Sequence, residues 1–145
     1  MLCNTVHYWV PSLNFENIEI INIINITKKY IYKNSWNTVL LLATKGTYAT
    51  ELYFDYFKKD ELVIPSKYED EIMKIIYDCK LGNDNVNNLK DLIYKLSNKY
   101  NFEAIILGCT ELSILLEDIF SICNKAIIDP ISITAQYIID INKIE

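Results

Sequence analysis

Two cysteines lie beside amide and hydroxyl side chains: Cys3-Asn4-Thr5 in CNTVHYW, and Cys109-Thr110-Glu111 in AIILGCTELSILL. A thiol can serve as a nucleophile or, once ionised, as a base, and its polar neighbours can hydrogen-bond a carboxylate. Cys109 follows an apolar run and a glycine and opens a helical pattern. Its sulfur is therefore expected near free backbone N–H groups and the positive end of a helix, both of which favour a thiolate. The alternative is a small buried core residue, since free cysteines are often buried. A third segment, LLATKGT, puts Thr44, Lys45, Gly46 and Thr47 between a strand and a helix, a setting suited to a carboxylate or phosphate. It lacks P-loop spacing, and Thr47 competes as a simple N-cap. The two cysteine segments look like half-sites of one centre.

Three apolar runs read as buried strands and would position these groups: TVLLLAT (38–44), EAIILGC (103–109) and KAIID (125–129). IEIINII (18–24) and LVIP (62–65) are weaker strand candidates. Helical patterns cover 47–59, 67–80, 86–100 and 130–142, and GNDNVNN (82–88) reads as a connection. Strands alternating with helices imply a parallel α/β sheet. Gly46 and Gly108 lie just past predicted strands, where open parallel sheets bind ligands.

The whole chain of 145 residues, 51% hydrophobic, suffices for one domain or two small lobes. A net charge of −5 argues against nucleic-acid or anionic-membrane partners and leaves small molecules or proteins. All fourteen basic residues are lysine. Isoleucine, asparagine, lysine and tyrosine are abundant enough to suggest an AT-rich coding sequence, which weakens inference from INIINITKKYIYKN. No apolar run reaches membrane-spanning length, and the start lacks a signal-peptide pattern, so a cytoplasmic protein is expected. The four cysteines show neither C-x-x-C spacing nor the density of a disulfide scaffold; no metal is expected, and Cys79 and Cys123 read as structural.

In order and separation, CNTVH, LLATKGT, IIYDCKLG, IILGCTEL and IIDP resemble the aspartate/glutamate racemase family, and Glu111 after the second Cys-Thr favours its aspartate branch. The resemblance implies two α/β lobes of parallel sheet with the site between them. It also implies two-base racemisation of an acidic amino acid without any cofactor, pyridoxal phosphate included. Cys3 and Cys109 match the two bases. Asn4, Thr5 and Thr110 match groups that hold the α-carboxylate and amino group, Thr44 and Thr47 line the same pocket, and Glu111 belongs to the substrate-binding set. Lys80 matches a lysine associated with the side-chain carboxylate, whereas alone it would be a solvated lysine at a helix end. His7 reads as a packed side chain that orders a loop. Family members resemble dimers, so a homodimer is among the expected assemblies.

The chain departs from the family at its start. Only Met1 and Leu2 precede Cys3, where the family has a full βα segment with a glycine-rich turn and an arginine that holds the distal carboxylate. Residues 37–128 are expected to form a nearly complete second lobe, and 1–36 plus 129–145 an incomplete first lobe. Three readings are open: a shortened aspartate racemase-like chain, an inactive amino-acid-binding or heteromeric partner, or the same fold with other carbanion chemistry, as in hydantoin racemases, maleate isomerases and decarboxylases.

Overall fold

The computed structural model describes residues 3–13, 16–83, 85–120 and 124–143. Four short parallel strands form one sheet: β1 (Val39–Leu42), β2 (Leu62–Val63), β3 (Ala104–Leu107) and β4 (Ala126–Ile128), in the order β2-β1-β3-β4. All four residues of β1 and of β3 are buried, as expected of a parallel sheet covered on both faces. The period of two divides their side chains. Leu40, Leu42, Ile105, Leu107 and Ile127 point into one cluster, and Val39, Leu41, Ala104, Ile106 and Ile128 into the other.

The first cluster is closed by α3 (Glu69–Lys80), through Ile72, Ile75 and Ile76, and by α4 (Val86–Lys99), through Leu89, Leu92, Ile93 and Leu96. Leu112, Leu115 and Ile119 seal its edge from a 3-10 turn (Thr110–Leu115) and α5 (Leu116–Phe120). On the other face, α1 (Ile23–Lys33) supplies Ile23, Ile24 and Ile31. A 3-10 turn (Leu52–Asp55) adds Leu52 and Tyr53, with Phe57 beyond it. The last helix, α6 (Pro130–Asn142), packs on α1 and keeps Ile138, Ile139 and Ile141 exposed. Residues from 1–36, 37–128 and 129–145 thus meet in one hydrophobic cluster. The described residues make a single lobe with one parallel sheet.

The weaker strand candidate at 18–24 is overturned. Residues 18–22 join no sheet, and from Ile23 the chain is helical. Asn22 accepts hydrogen bonds from Ile24 N and Asn25 N, which caps the helix, and Ile23, Ile24, Thr27 and Ile31 then share the buried face. The helical pattern at 47–59 is broken: α2 covers only Lys45–Ala49, and Glu51 turns left-handed at φ 52° before the 3-10 turn. Thr44, not Thr47, is the N-cap of α2, since its Oγ1 accepts from Thr47 N. Helix α3 ends in a Schellman motif: Gly82 N donates to Cys79 O, Asn83 N donates to Asp78 O, and Gly82 takes φ 74°. Cys79 is buried, as a structural cysteine should be, and Cys123 lies outside the described residues. No described helix is long and apolar enough to cross a membrane.

Gly108 is required by close packing. A Cβ there would lie 2.7 Å from Leu41 Cδ1, 3.0 Å from Ala43 Cβ and 3.1 Å from Leu42 O, while Gly108 N donates to that same carbonyl at 2.7 Å. Gly108→Ala must displace the Leu41 methyl and crowds Ala43 and the Leu42 carbonyl. It is expected to cost about 1–3 kcal/mol, a fall in melting temperature of roughly 3–10 °C by calorimetry. An unchanged melting temperature would show that Leu41 and its neighbours give way without cost.

Candidate functional site

From β1 the chain crosses to β2 on one side, whereas β3 lies on the other side of β1, so the direction of winding reverses between β1 and β3. Ligands of open α/β sheets bind at such a switch point, outside the carboxyl ends of the strands. Leu42 is in register with Leu107, so the segment after β1, Thr44–Thr47, emerges beside the segment after β3, Gly108–Glu111. Both turns singled out from the sequence are therefore brought to one edge of the sheet.

The N-terminal segment is pinned to the first turn. Thr5 Oγ1 lies 3.3 Å from Thr44 Oγ1 and 2.9 Å from Thr47 Oγ1, and those two are 3.1 Å apart, which closes a triangle of hydroxyls. Asn4 is buried, and its Oδ1 accepts a 2.7 Å hydrogen bond from Tyr53 Oη. His7 is also buried. Its Nδ1 donates to Cys3 O at 2.8 Å and its Nε2 accepts from Ile23 N at 3.4 Å, so the imidazole ties the Cys3 backbone to the start of α1. It orders the loop, as its aromatic neighbourhood in the sequence suggests. The half-buried Cys3 is thus held by backbone and neighbours rather than by a strand.

A second group forms around Glu111. Cys109 Sγ donates to Glu111 Oε2 at 2.8 Å, Thr110 Oγ1 donates to the same oxygen at 3.1 Å, and Lys80 Nζ sits 3.1 Å from Oε1. Lys80 reaches this carboxylate from the last turn of α3, which the Schellman motif closes. Burial raises the carboxyl pKa of Glu111, but the hydrogen bonds from Cys109, a backbone N–H, Lys80 and Thr110 outweigh it and hold the group down at about 2. Lys80 rises in turn, chiefly through its hydrogen bond to Glu111.

Of the two readings left open for Cys109, a stabilised thiolate or a small buried residue, its burial favours the second. Cys109 is only 6% exposed, and burial first, then the hydrogen bond to Glu111, pushes its thiol up to about 12. The favourable backbone N–H expected from the helix start is present, at Glu111, and Lys80 also lowers the value. Neither outweighs burial beside a carboxylate, and the element that Cys109 opens is a 3-10 turn rather than an α-helix. The resting group is a thiol that donates a proton.

Two residues without an expected role support the site. Asp129, in IIDP, is buried at the end of β4 and accepts from Ser113 Oγ at 2.7 Å, Ser132 Oγ at 2.6 Å and the amides of Ile131 and Ser132. It caps α6 and anchors the turn that begins at Thr110; an Asp-Pro pair at a strand end was the available signal. Tyr48 Oη bridges β1 internally, donating to Leu41 O and accepting from Ala43 N. Among the described residues, no group of three or more His, Cys, Asp or Glu is arranged to hold a metal.

Sheet order and site geometry together define a doubly wound α/β protein with a thiol centre at its switch point. The chain belongs to the Asp/Glu/hydantoin racemase family, whose model matches residues 1–138. It is similar to the aspartate racemase of Picrophilus torridus, with 27% identity and a TM-score of 0.75 over 90% of this chain and 55% of that one. An aspartate racemase homologue from Pyrococcus horikoshii OT3 is 26% identical, with a TM-score of 0.80 over 96% of this chain and 63% of that one. A glutamate racemase isoform from Bacillus anthracis shares the fold, with 18% identity and a TM-score of 0.67 over 97% and 56%. The chain therefore spans less than two thirds of the length of these relatives.

Proposed function

We propose that this site racemises an acidic amino acid, aspartate first among them, without a cofactor, by proton transfer between two cysteines. The observation that carries this reading is the Cys109–Glu111–Lys80 group at the switch point: a proton-bearing thiol beside a lysine able to hold a distal carboxylate. The two relatives above 25% identity are named for aspartate racemase. Racemisation needs an acid and a base on opposite faces of one carbon. In one direction, ionised Cys3 takes the α-proton and becomes a thiol, and Cys109 gives its proton to the opposite face and is left as a thiolate. The reverse direction begins from that second state. Asn4, Thr5, Thr44, Thr47 and Thr110 would hold the α-carboxylate and ammonium, and Lys80 the distal carboxylate in competition with Glu111.

The high proton affinity of Cys109 favours one further reading, in which the chain binds an acidic amino acid without turning it over. Incubation with L- and D-aspartate in D₂O, with α-deuteration and optical rotation followed separately, distinguishes the two. Racemisation accompanied by deuteration is expected, with racemisation lost in Cys3→Ser. A folded protein that binds aspartate yet exchanges neither enantiomer's proton would leave the binding reading in place.

A further inference from the structure

A cleft of about 720 Å³ opens beside α2, and neither cysteine, nor Lys80, nor Glu111 lines it. Its volume is that of a small-molecule site. Tyr48, Tyr53 and Phe54 make its apolar wall, and Glu51, Lys59 and Glu69 bring charges of both signs to it. Lys45, also at the cleft, is committed to Asp70, whereas Glu51 and Lys59 make no ion pair among the described residues. Glu51 is moreover held left-handed, a conformation that non-glycine residues adopt mainly where the surroundings impose it, often at ligand clamps.

The walls of this cleft also hold the Cys3 segment. Tyr53 Oη donates to Asn4 Oδ1 and Thr47 Oγ1 meets Thr5 Oγ1, so both residues directly after Cys3 hang on side chains that line the cleft. All three of Asn4, Tyr53 and Thr47 are at least nine-tenths buried, and none can shift without its partner.

We propose that this cleft binds a zwitterionic amino acid with an aromatic side chain, and that its occupancy changes the exposure of Cys3. The ring lies against Tyr48, Tyr53 and Phe54, the ammonium faces Glu51 and Glu69, and the carboxylate faces Lys59. A ligand with one charge alone leaves the opposite charges of the cleft unanswered. The cleft shares Thr47 with the proposed substrate pocket, yet its test does not depend on the racemase reading, because binding and thiol exposure are both measurable without turnover.

The probes are L-phenylalanine, phenylacetate and phenethylamine, titrated calorimetrically into the whole chain. L-Phenylalanine should bind saturably, with each singly charged probe about tenfold weaker or worse, and both Glu51→Gln and Lys59→Met should weaken it about fivefold. Saturating L-phenylalanine should change the rate of Cys3 alkylation, read by peptide mass spectrometry, by about threefold or more, and Glu51→Gln should raise the concentration needed for that response by the same factor as it weakens binding. Absence of saturable binding, equal binding of phenylacetate, indifference to both charge variants, or an unchanged Cys3 rate would each overturn the proposal.

Discussion

Cys109→Ser is expected to lower racemisation of both aspartate enantiomers, and α-proton exchange of the enantiomer whose proton faces Cys109, by about 10²–10⁴-fold, the range lost with a positioned general acid or base. The substitution is a narrow one. A serine hydroxyl keeps the proton donor facing Glu111 Oε2, so the carboxylate stays satisfied and the Lys80 ion pair has no reason to move. What is lost is the capacity to cycle between a protonated and an ionised sulfur, since an alkoxide lies far beyond a thiolate in basicity. The rate of α-deuteration by proton NMR reports the loss, and a melting temperature close to that of the parent shows that the fold has survived. Retention of racemisation within a few-fold would remove Cys109 from the proposed mechanism.

Glu111→Gln is expected to act on proton affinity and on stability in opposite pH ranges. The carboxylate helps keep the proton on Cys109, so its removal lets the thiol ionise more readily, though burial keeps it above the ordinary thiol value of about 8.5. Alkylation of Cys109 near pH 9 should rise by roughly tenfold in the variant. For stability, the depressed Glu111 carboxyl contributes fully above its ordinary value of about 4.3 and loses that contribution as pH falls towards about 2. The raised Cys109 thiol contributes fully below about 8.5 and loses its contribution as pH rises towards about 12. The parent should therefore show a plateau between these limits, with an acid limb that shrinks in Glu111→Gln by up to about 3 kcal/mol. Denaturant melts at pH 3 and pH 7 capture roughly 1.7 kcal/mol of that difference, since the rest is lost only below pH 3, and identical acid limbs would contradict it.

The strands that carry the site were legible because 38–44, 103–109 and 125–129 are apolar on both faces, which only a sheet covered by helices accommodates. The span 18–24 misled because the same isoleucines satisfy a strand and a helix, and one side chain, Asn22, settles the matter by capping the amides of residues 24 and 25. The pattern at 47–59 hid a break, since nothing in the local spacing marks Glu51 as left-handed. Of the site, Thr44, Thr47 and Cys109 could be placed at strand ends in advance, and the racemase resemblance brought in Cys3 and Lys80. The ionisation state of Cys109 could not be read, because it depends on burial and on a carboxylate two residues away whose orientation is a tertiary outcome. The Tyr53–Asn4 bond spans 49 residues, and no periodicity reports it.

The hydroxyls of Thr5, Thr44 and Thr47 have one more property, which is arithmetic. Three oxygens share three hydroxyl protons, so a closed ring uses every one of them and can run in either rotational sense. In that state no threonine hydrogen points outward, and an arriving anion finds a donor only by opening one link of the ring. Attraction to the anion is then offset by an internal bond of comparable strength. The turn behaves less as a fixed clamp than as a rotor with two settings, either of which must break a link before a proton is presented.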